Sequence, residues 1–155
     1  MTQLATTRAE PNSRDSQSPY AGDIASSQAW KVLAERPDAV LIDVRTQAEW
    51  AYVGVPDLGP LGKTAHFIEW QRYPGLDRKP GFARQVAAAG ITKEQTVLLL
   101  CRSGARSAHA AAELTALGYR NCFNVVDGFE GGLDAESHRG RLGGWKATNL
   151  SWKQG

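Results

Sequence analysis

Residues 97–107 read VLLLCRSGARS, an apolar run that passes without a break into a short polar loop. A short, continuous apolar run is typical of a strand that is buried on both faces. Residues 108–117 after the loop are rich in helix-forming residues and are followed by Gly118, and glycine commonly ends a helix. The stretch therefore predicts a buried strand, a tight loop that contains a glycine, and a helix that begins near Arg106 or Ser107.

Four more segments are predicted to be strands. Residues 39–42 form a second apolar run, which ends at Asp43, and residues 122–126 form a third. Two shorter candidates lie around Ile24 and at residues 65–68. These segments are spread along the chain, so any sheet they form must join distant parts of the sequence.

Helical signals separate the predicted strands. A capping pattern, in which Ser or Thr is followed three residues later by Glu, occurs at Thr46 and Glu49 and predicts a short helix. Apolar residues recur at helical spacing in two further segments, one ended by Pro37 and the other by Gly90. The residues predicted to cap or line these two helices are Ser26 or Ser27, Trp30, Leu33 and Ala34 in the first, and Phe82, Val86 and Ala89 in the second.

The alternation of strands and helices predicts an α/β fold, with a parallel sheet of about five strands and helices on both faces. In such folds ligands bind beyond the carboxyl ends of the strands, and Cys101 lies at one of those ends. We expect one domain at residues 20–137. A flexible tail at residues 1–19 precedes it, and an arm at residues 138–155 follows it and packs on the domain.

Composition limits the classes of function. The chain of 155 residues carries 18 basic and 16 acidic side chains, and a net charge of +2 gives no reason to expect nucleic acid or a membrane surface as a partner. Residues 1–19 lack the apolar centre of a secretory signal, and no apolar run reaches membrane-spanning length. We therefore expect a cytoplasmic protein. The two cysteines do not indicate a disulfide scaffold.

Cys101 is the candidate nucleophile. The loop and the start of the following helix should aim backbone N–H groups and the positive end of the helix dipole at it, and Arg106 adds a full charge. Such surroundings stabilise a thiolate and at the same time bind an anion. A cysteine that ends a buried strand is more often a small core residue. The two arginines that follow it, Arg102 and Arg106, favour the reactive interpretation.

The loop resembles the active-site loop of the rhodanese family, the thiosulfate sulfurtransferases and related persulfide carriers. The match is Cys-x-x-Gly-x-Arg-Ser at residues 101–107. Upstream, residues 41–50 (LIDVRTQAEW) resemble the first signature of the family, and downstream residues 125–132 (VVDGFEGG) resemble its closing segment. The three motifs occur in the family's order across residues 20–153, which implies a single rhodanese-like domain.

The resemblance implies a sulfurtransferase that needs neither a cofactor nor a metal. Cys101 would accept the sulfur, and Asp43 and Arg45 would support the loop. The donor would be a small anionic sulfur compound such as thiosulfate, or a persulfide, and the acceptor would be cyanide, a thiol or a protein cysteine. The residues whose backbone amides would bind the persulfide and the anionic donor are Arg102, Ser103, Gly104, Ala105, Arg106 and Ser107.

One segment departs from the family pattern. Where the family usually has Gly-His-Ile-Pro-Gly-Ala, residues 53–58 of this chain read VGVPDL. This region helps to form the wall of the pocket in the family. The departure therefore bears on the identity of the substrate more than on the sulfur chemistry.

Two alternative functions stay open. Tyrosine-type phosphatases and arsenate reductases also use a cysteine in an anion-binding loop. These phosphatases, however, place one residue more between cysteine and arginine than the four that separate Cys101 from Arg106. A sulfur-relay protein or a regulatory module without turnover would keep the same cysteine, so the sequence does not separate it from a free-standing enzyme.

Other residues that could bear chemistry receive structural interpretations. Cys122 lies on a predicted strand and is expected in the core, rather than as a resolving partner of Cys101. His109 has no second ligand in register and is not expected to bind a metal. Trp145 and Trp152 are expected to fasten the C-terminal arm to the domain, and the alternative is a lid or docking surface near the loop.

Overall fold

A computed structural model describes residues 18–72, 77–78, 81–132, 135–137 and 143–154 of the chain. Most of the predicted tail, residues 1–17, and part of the predicted arm, residues 138–142, lie outside the described residues. A 3-10 helix is present at Gly59–Leu61. The strands and helices in chain order are β1 (Gly22–Ile24), α1 (Ser26–Glu35), β2 (Val40–Asp43), α2 (Gln47–Val53), β3 (Val55–Pro56), β4 (His66–Phe67), β5 (Gln71–Arg72), β6 (Asp77–Arg78), α3 (Phe82–Ala88), β7 (Thr96–Leu100), α4 (Ala105–Ala116), β8 (Asn121–Val125), α5 (Gly144–Ala147) and β9 (Trp152–Lys153).

The central sheet explains the apolar runs of the sequence. Within the described ranges it has five strands in the order β1-β8-β7-β2-β4, and every neighbouring pair is parallel. β7 lies in the middle, and all five of its residues are buried. A strand in this position has no solvent-facing side, so it lacks the polar alternation of an edge strand. The predicted α/β fold with a parallel five-stranded sheet is confirmed.

Helices cover both faces of the sheet, as predicted. Val97 and Leu99 of β7 point to one face, where they share a core with residues of α3 and α4. Leu98 and Leu100 point to the other face, where they share a core with residues of α1 and α5. This alternation follows from the two-residue period of a strand, and it buries apolar side chains on both sides.

The first helix differs from its prediction at two points. Its N-cap is Ala25 rather than Ser26 or Ser27, because Asp127 accepts the Ser26 backbone N–H at 2.9 Å and so replaces a local cap. Its buried face includes Ala29 and Leu33, whereas Ala34 faces solvent. The predicted capping box of α2 is confirmed, since Thr46 and Glu49 bind each other's backbone N–H groups.

The last described segment, residues 143–154, packs on the face of the sheet that α1 covers, and it also pairs with β3. Trp145 of α5 is fully buried and meets Trp30 edge to face, with ring centroids 5.8 Å apart. β9 pairs antiparallel with β3, a two-residue pairing that the sequence pattern did not predict. Among the helices that the described residues form, none is both long and apolar enough to cross a membrane.

Candidate active site

The loop between β7 and α4 presents Cys101 at the carboxyl edge of the sheet. β7 ends at Leu100, which lies beside Asp43 of β2 in the register of the sheet. The helix begins at Ala105, slightly earlier than predicted, because Gly104 adopts a left-handed conformation with φ 104° and turns the chain directly into α4. The first N–H groups of a helix have no partner inside the helix, and they form its positive end. Cys101 therefore lies next to the positive end of α4.

Among the residues that the structure describes, two polar groups contact the sulfur atom directly. The Gly104 backbone N–H donates to Cys101 Sγ at 3.1 Å. The hydroxyl oxygen of Ser107, in the first turn of α4, lies 3.2 Å from the same sulfur. Cys101 is only 1% exposed and Ser107 is fully buried. The sulfur is thus buried at the edge of the core, with one polar contact from the loop and one from the helix.

The turn after β8 holds the loop in place. The N–H groups of Phe129 and Glu130 donate to the carbonyl oxygens of Cys101 and Arg102, at 2.8 and 3.0 Å. A Cβ atom on Gly104 would overlap the carbonyl oxygen of Val126, so glycine is required there by close approach as well as by conformation. The closing motif recognised in the sequence therefore forms the floor of the loop.

The predicted site residues occupy different parts of the loop. Gly104 and Ser107 contact the sulfur, whereas the side chains of Arg102 and Ala105 are exposed and that of Ser103 is half-buried. The backbone of Arg102 is engaged by the turn beneath it. Its side chain is exposed to solvent.

Arg106 is bound by a residue that the sequence analysis did not assign to the site. Its two terminal nitrogens donate to the two carboxylate oxygens of Glu49, at 2.7 and 2.9 Å. Arg106 also interacts electrostatically with Cys101, so its charge acts on the sulfur from within this ion pair. The sequence does mark Glu49, because it is the acidic residue of the first signature at residues 41–50.

The Glu49–Arg106 pair shifts the ionisation of both groups. Burial alone would raise the pKa of Glu49, but hydrogen bonds from Arg106 and Thr46 and the charge of Arg106 outweigh it and lower the pKa from 4.5 to about 2. Burial would lower the pKa of Arg106, and the hydrogen bonds and charge of Glu49 raise it instead. Both side chains are therefore charged at neutral pH and hold α2 against α4.

We expect this pair to make stability depend on pH in acid. Because the pKa of Glu49 is about 2 in the folded protein and 4.5 ordinarily, its contribution is complete above 4.5 and is lost as the pH falls through that interval. Urea unfolding at about pH 5 and about pH 3 measures the loss. In Glu49→Gln the free energy of unfolding should fall less between these two values than in the parent protein. Equal losses in both proteins would contradict the assignment.

Asp43 and Arg45 lie beneath the loop. Arg45 Nε and Nη2 donate to the Asp43 carboxylate at 2.9 and 2.7 Å, and neither side chain is exposed. The guanidinium carbon lies 4.3 Å from the ring centroid of Phe129, and the backbone N–H of Phe129 donates to the carbonyl oxygen of Cys101. Arg45 Nη2 also donates to the Gly54 carbonyl oxygen at 2.8 Å. The pair contacts the loop through Phe129 and does not reach the sulfur.

The second cysteine lies in the core, away from this chemistry. Cys122 is fully buried on β8. Burial raises the pKa of its thiol to about 12, although a hydrogen bond with Thr115 acts in the opposite direction. A thiol with such a pKa is not ionised near neutral pH and is a poor nucleophile.

Trp70 and His109 form a stacked pair next to Arg106 on α4. The Trp70 ring stacks on His109, with centroids 5.7 Å apart, and Trp70 Nε1 donates to Glu113 at 3.0 Å. These contacts occupy the exposed face of α4 that follows Arg106. His109 is therefore part of a packed pair with Trp70.

Known proteins resemble this chain along most of its length. The family model described as the STR4 middle domain matches residues 21–155. An uncharacterized protein of Rickettsia conorii is 37% identical over 131 residues, 84% of this chain and 96% of that protein. A protein named sulfurtransferase from Allochromatium vinosum is 32% identical over 106 residues, 68% of this chain and 82% of that protein. The crystal structure of Rv0390 from M. tuberculosis is similar with a TM-score of 0.80 and 45% identity, over 88% of this chain and 99% of that one.

Proposed function

Because the chain belongs to the rhodanese-like family, we propose that it is a sulfurtransferase that carries sulfane sulfur as a persulfide on Cys101. The main support is the position of Cys101 Sγ at the start of α4, where the Gly104 N–H donates to it at 3.1 Å. A sulfur atom that meets an amide donor at the positive end of a helix is suited to bear negative charge. The sulfurtransferase relative supports the same class of reaction.

In the first half-reaction the Cys101 thiolate attacks the outer sulfur of thiosulfate or of a persulfide. A bond forms between Sγ and the outer sulfur, and the sulfur–sulfur bond of the donor breaks. The electron pair of that bond leaves with the departing group, which is sulfite when the donor is thiosulfate. The negative charge of the new persulfide is stabilised by the amides at the start of α4, and the charge of Arg106 adds to that stabilisation.

In the second half-reaction a thiol or cyanide attacks the outer sulfur and removes it. The bond between the two sulfur atoms of the persulfide breaks, and Cys101 regains its thiolate. The acceptor attacks the outer sulfur rather than Sγ, because the outer sulfur is the atom that is transferred. The exposed side chain of Arg102 favours small anionic donors. The cytoplasm, with its thiol pool, is the compartment that we propose for this exchange.

A covalent persulfide on Cys101 is the intermediate that tests the proposal. The protein mixed with excess thiosulfate and no acceptor should gain the mass of one sulfur atom, because the first half-reaction needs only the donor. Intact mass spectrometry detects the gain, and digestion assigns it to the peptide that contains Cys101. Addition of cyanide or a thiol should restore the original mass.

The same preparation separates an enzyme from a relay module. An enzyme should pass repeated equivalents of sulfur from thiosulfate to cyanide, whereas a relay module should accept sulfur from a protein persulfide and turn over thiosulfate slowly. The proposal fails if neither donor class produces the adduct at Cys101. It fails equally if thiosulfate is turned over without an adduct, because transfer would then be direct.

A further inference from the structure

A line of polar side chains runs from Cys101 through the core to the edge of the sheet. Ser107 Oγ is positioned to donate to two acceptors, Cys101 Sγ at 3.2 Å and Asn124 Oδ1 at 2.5 Å. Asn124, in β8, donates from Nδ2 to Asp23 Oδ1 in β1 at 3.1 Å. Ser107 and Asn124 are almost completely buried, and Asp23 is exposed. The loop motif and the first signature do not include Asn124.

The hydrogen-bonding capacity of Asp23 fixes the direction of this line. A carboxylate accepts hydrogen bonds and cannot donate one. Asn124 must therefore turn its NH₂ group to Asp23 and its carbonyl oxygen to Ser107. The Ser107 hydroxyl has one proton, and the short contact with Asn124 Oδ1 engages it. Cys101 Sγ and Asn124 Oδ1 therefore compete for that one proton, and Ser107 faces the sulfur with a lone pair only while the shorter contact with Asn124 holds the proton.

This arrangement stabilises the neutral thiol of Cys101 and its anionic forms to different extents. A neutral thiol can donate its proton to the Ser107 lone pair, so all the polar groups of the line are satisfied. A thiolate or a persulfide has no such proton, and it gains a donor from Ser107 only if the hydroxyl rotates away from Asn124. The rotation leaves the carbonyl oxygen of Asn124 buried without its donor, which costs free energy.

We propose that Asn124 is a positioning residue that holds the Ser107 proton while Cys101 is a thiol and yields it when the sulfur becomes anionic. The inference rests on the proposed function, since ionisation and persulfide formation are its two anionic states. Asn124 acts through Ser107 and does not touch the sulfur. It thereby sets how readily Cys101 becomes a nucleophile.

Other charged groups also act on Cys101, so the test must separate them from Asn124. The ion pairs of Arg106 with Glu49 and of Asp43 with Arg45 do not pass through Ser107. A substitution at position 124 is therefore compared in the parent protein and in Ser107→Ala, which both keep these ion pairs. The ionisable side chains on the elements around Cys101 are Arg102 in the loop, Arg106, His109 and Glu113 in α4, Glu49 and Tyr52 in α2, Asp43 in β2 and Arg45 just after it, Asp23 in β1, and Cys122 in β8 with Asp127 after it.

The experiment measures the rate of Cys101 alkylation by iodoacetamide against pH in four proteins: the parent, Asn124→Leu, Ser107→Ala and the double variant. Leucine is similar in size to asparagine and removes the competition for the Ser107 proton. The midpoint of the Asn124→Leu profile should lie about one pH unit below that of the parent. In the Ser107→Ala background the same substitution should leave the midpoint unchanged, because no hydroxyl remains to be released.

A purely structural role for Asn124 would move the midpoint equally in both backgrounds, or in neither, and either result would overturn the inference. If Asn124→Leu does not fold, Asp23→Ala supplies the test at an exposed position. Without the carboxylate, the Asn124 amide can turn and free the Ser107 hydroxyl, so the midpoint should again fall only when Ser107 is present. A shift that is independent of Ser107, or the absence of any shift, would reject the assignment.

Alkylation requires no sulfur donor, so the outcome is separate from the test of the proposed function. Persulfide formation in the parent protein without a Ser107-dependent shift would overturn the role of Asn124 alone. A Ser107-dependent shift in a protein that never forms the adduct would leave the hydrogen-bond analysis intact. That second result would overturn sulfur transfer as the use of the site.

Discussion

Replacement of Cys101 by serine is expected to abolish sulfur transfer and to leave the fold intact. The serine hydroxyl is not ionised near neutral pH, so no nucleophile of comparable strength remains at the start of α4. Serine has the shape of cysteine with a smaller terminal atom, so it fits the same site, and the Gly104 N–H can donate to either atom. Turnover from thiosulfate to cyanide should fall by at least about 10³-fold, in line with the loss of a covalent nucleophile.

Cys122→Ser is the matched control, because it makes the same atomic change at the second cysteine. Burial raises the pKa of the Cys122 thiol to about 12, so this sulfur is protonated and unreactive near neutral pH. The variant should keep most of its activity, with a modest loss of stability from a hydroxyl in an apolar site. Activity that survived Cys101→Ser but not Cys122→Ser would reverse the roles of the two cysteines. Circular dichroism of both variants checks that the fold is retained.

The sequence predicts the sheet well because its strands are marked by composition. The runs at residues 39–42 and 97–100 are apolar on both faces, and only a strand covered by helices on both sides accommodates such runs. Helix boundaries were predicted less well, as the cap of α1 shows. Asp127 caps that helix from more than one hundred residues away, and no local pattern reveals such a partner.

In the site, too, local features are predictable from the sequence and contacts between distant residues are not. The position of Cys101 at the end of β7 and the turn at Gly104 follow from an apolar run and a glycine, so the sequence predicts both. The partners of Arg106 and Ser107, which are Glu49 and Asn124, depend on how α2 and β8 lie against α4. Those contacts are set by tertiary packing, and their residue types alone do not identify them.

The buried pair of Asp43 and Arg45 should cause a large loss of stability when it is broken. Asp43→Asn keeps the shape of the side chain but removes its charge, and it leaves the Arg45 guanidinium fully buried without a counterion. Breaking a buried ion pair in this way costs about 3–5 kcal/mol. That is a large part of the roughly 5–15 kcal/mol that stabilises a typical domain. Chemical denaturation measures the change in the free energy of unfolding.

The double variant Asp43→Leu with Arg45→Met separates the cost of an unpaired charge from the value of the pair itself. Apolar residues that replace both partners remove the desolvation penalty of both ions, and such replacements are often close to neutral. The double variant should therefore be more stable than Asp43→Asn. A loss below about 1 kcal/mol for Asp43→Asn would show that water reaches Arg45 and solvates its charge.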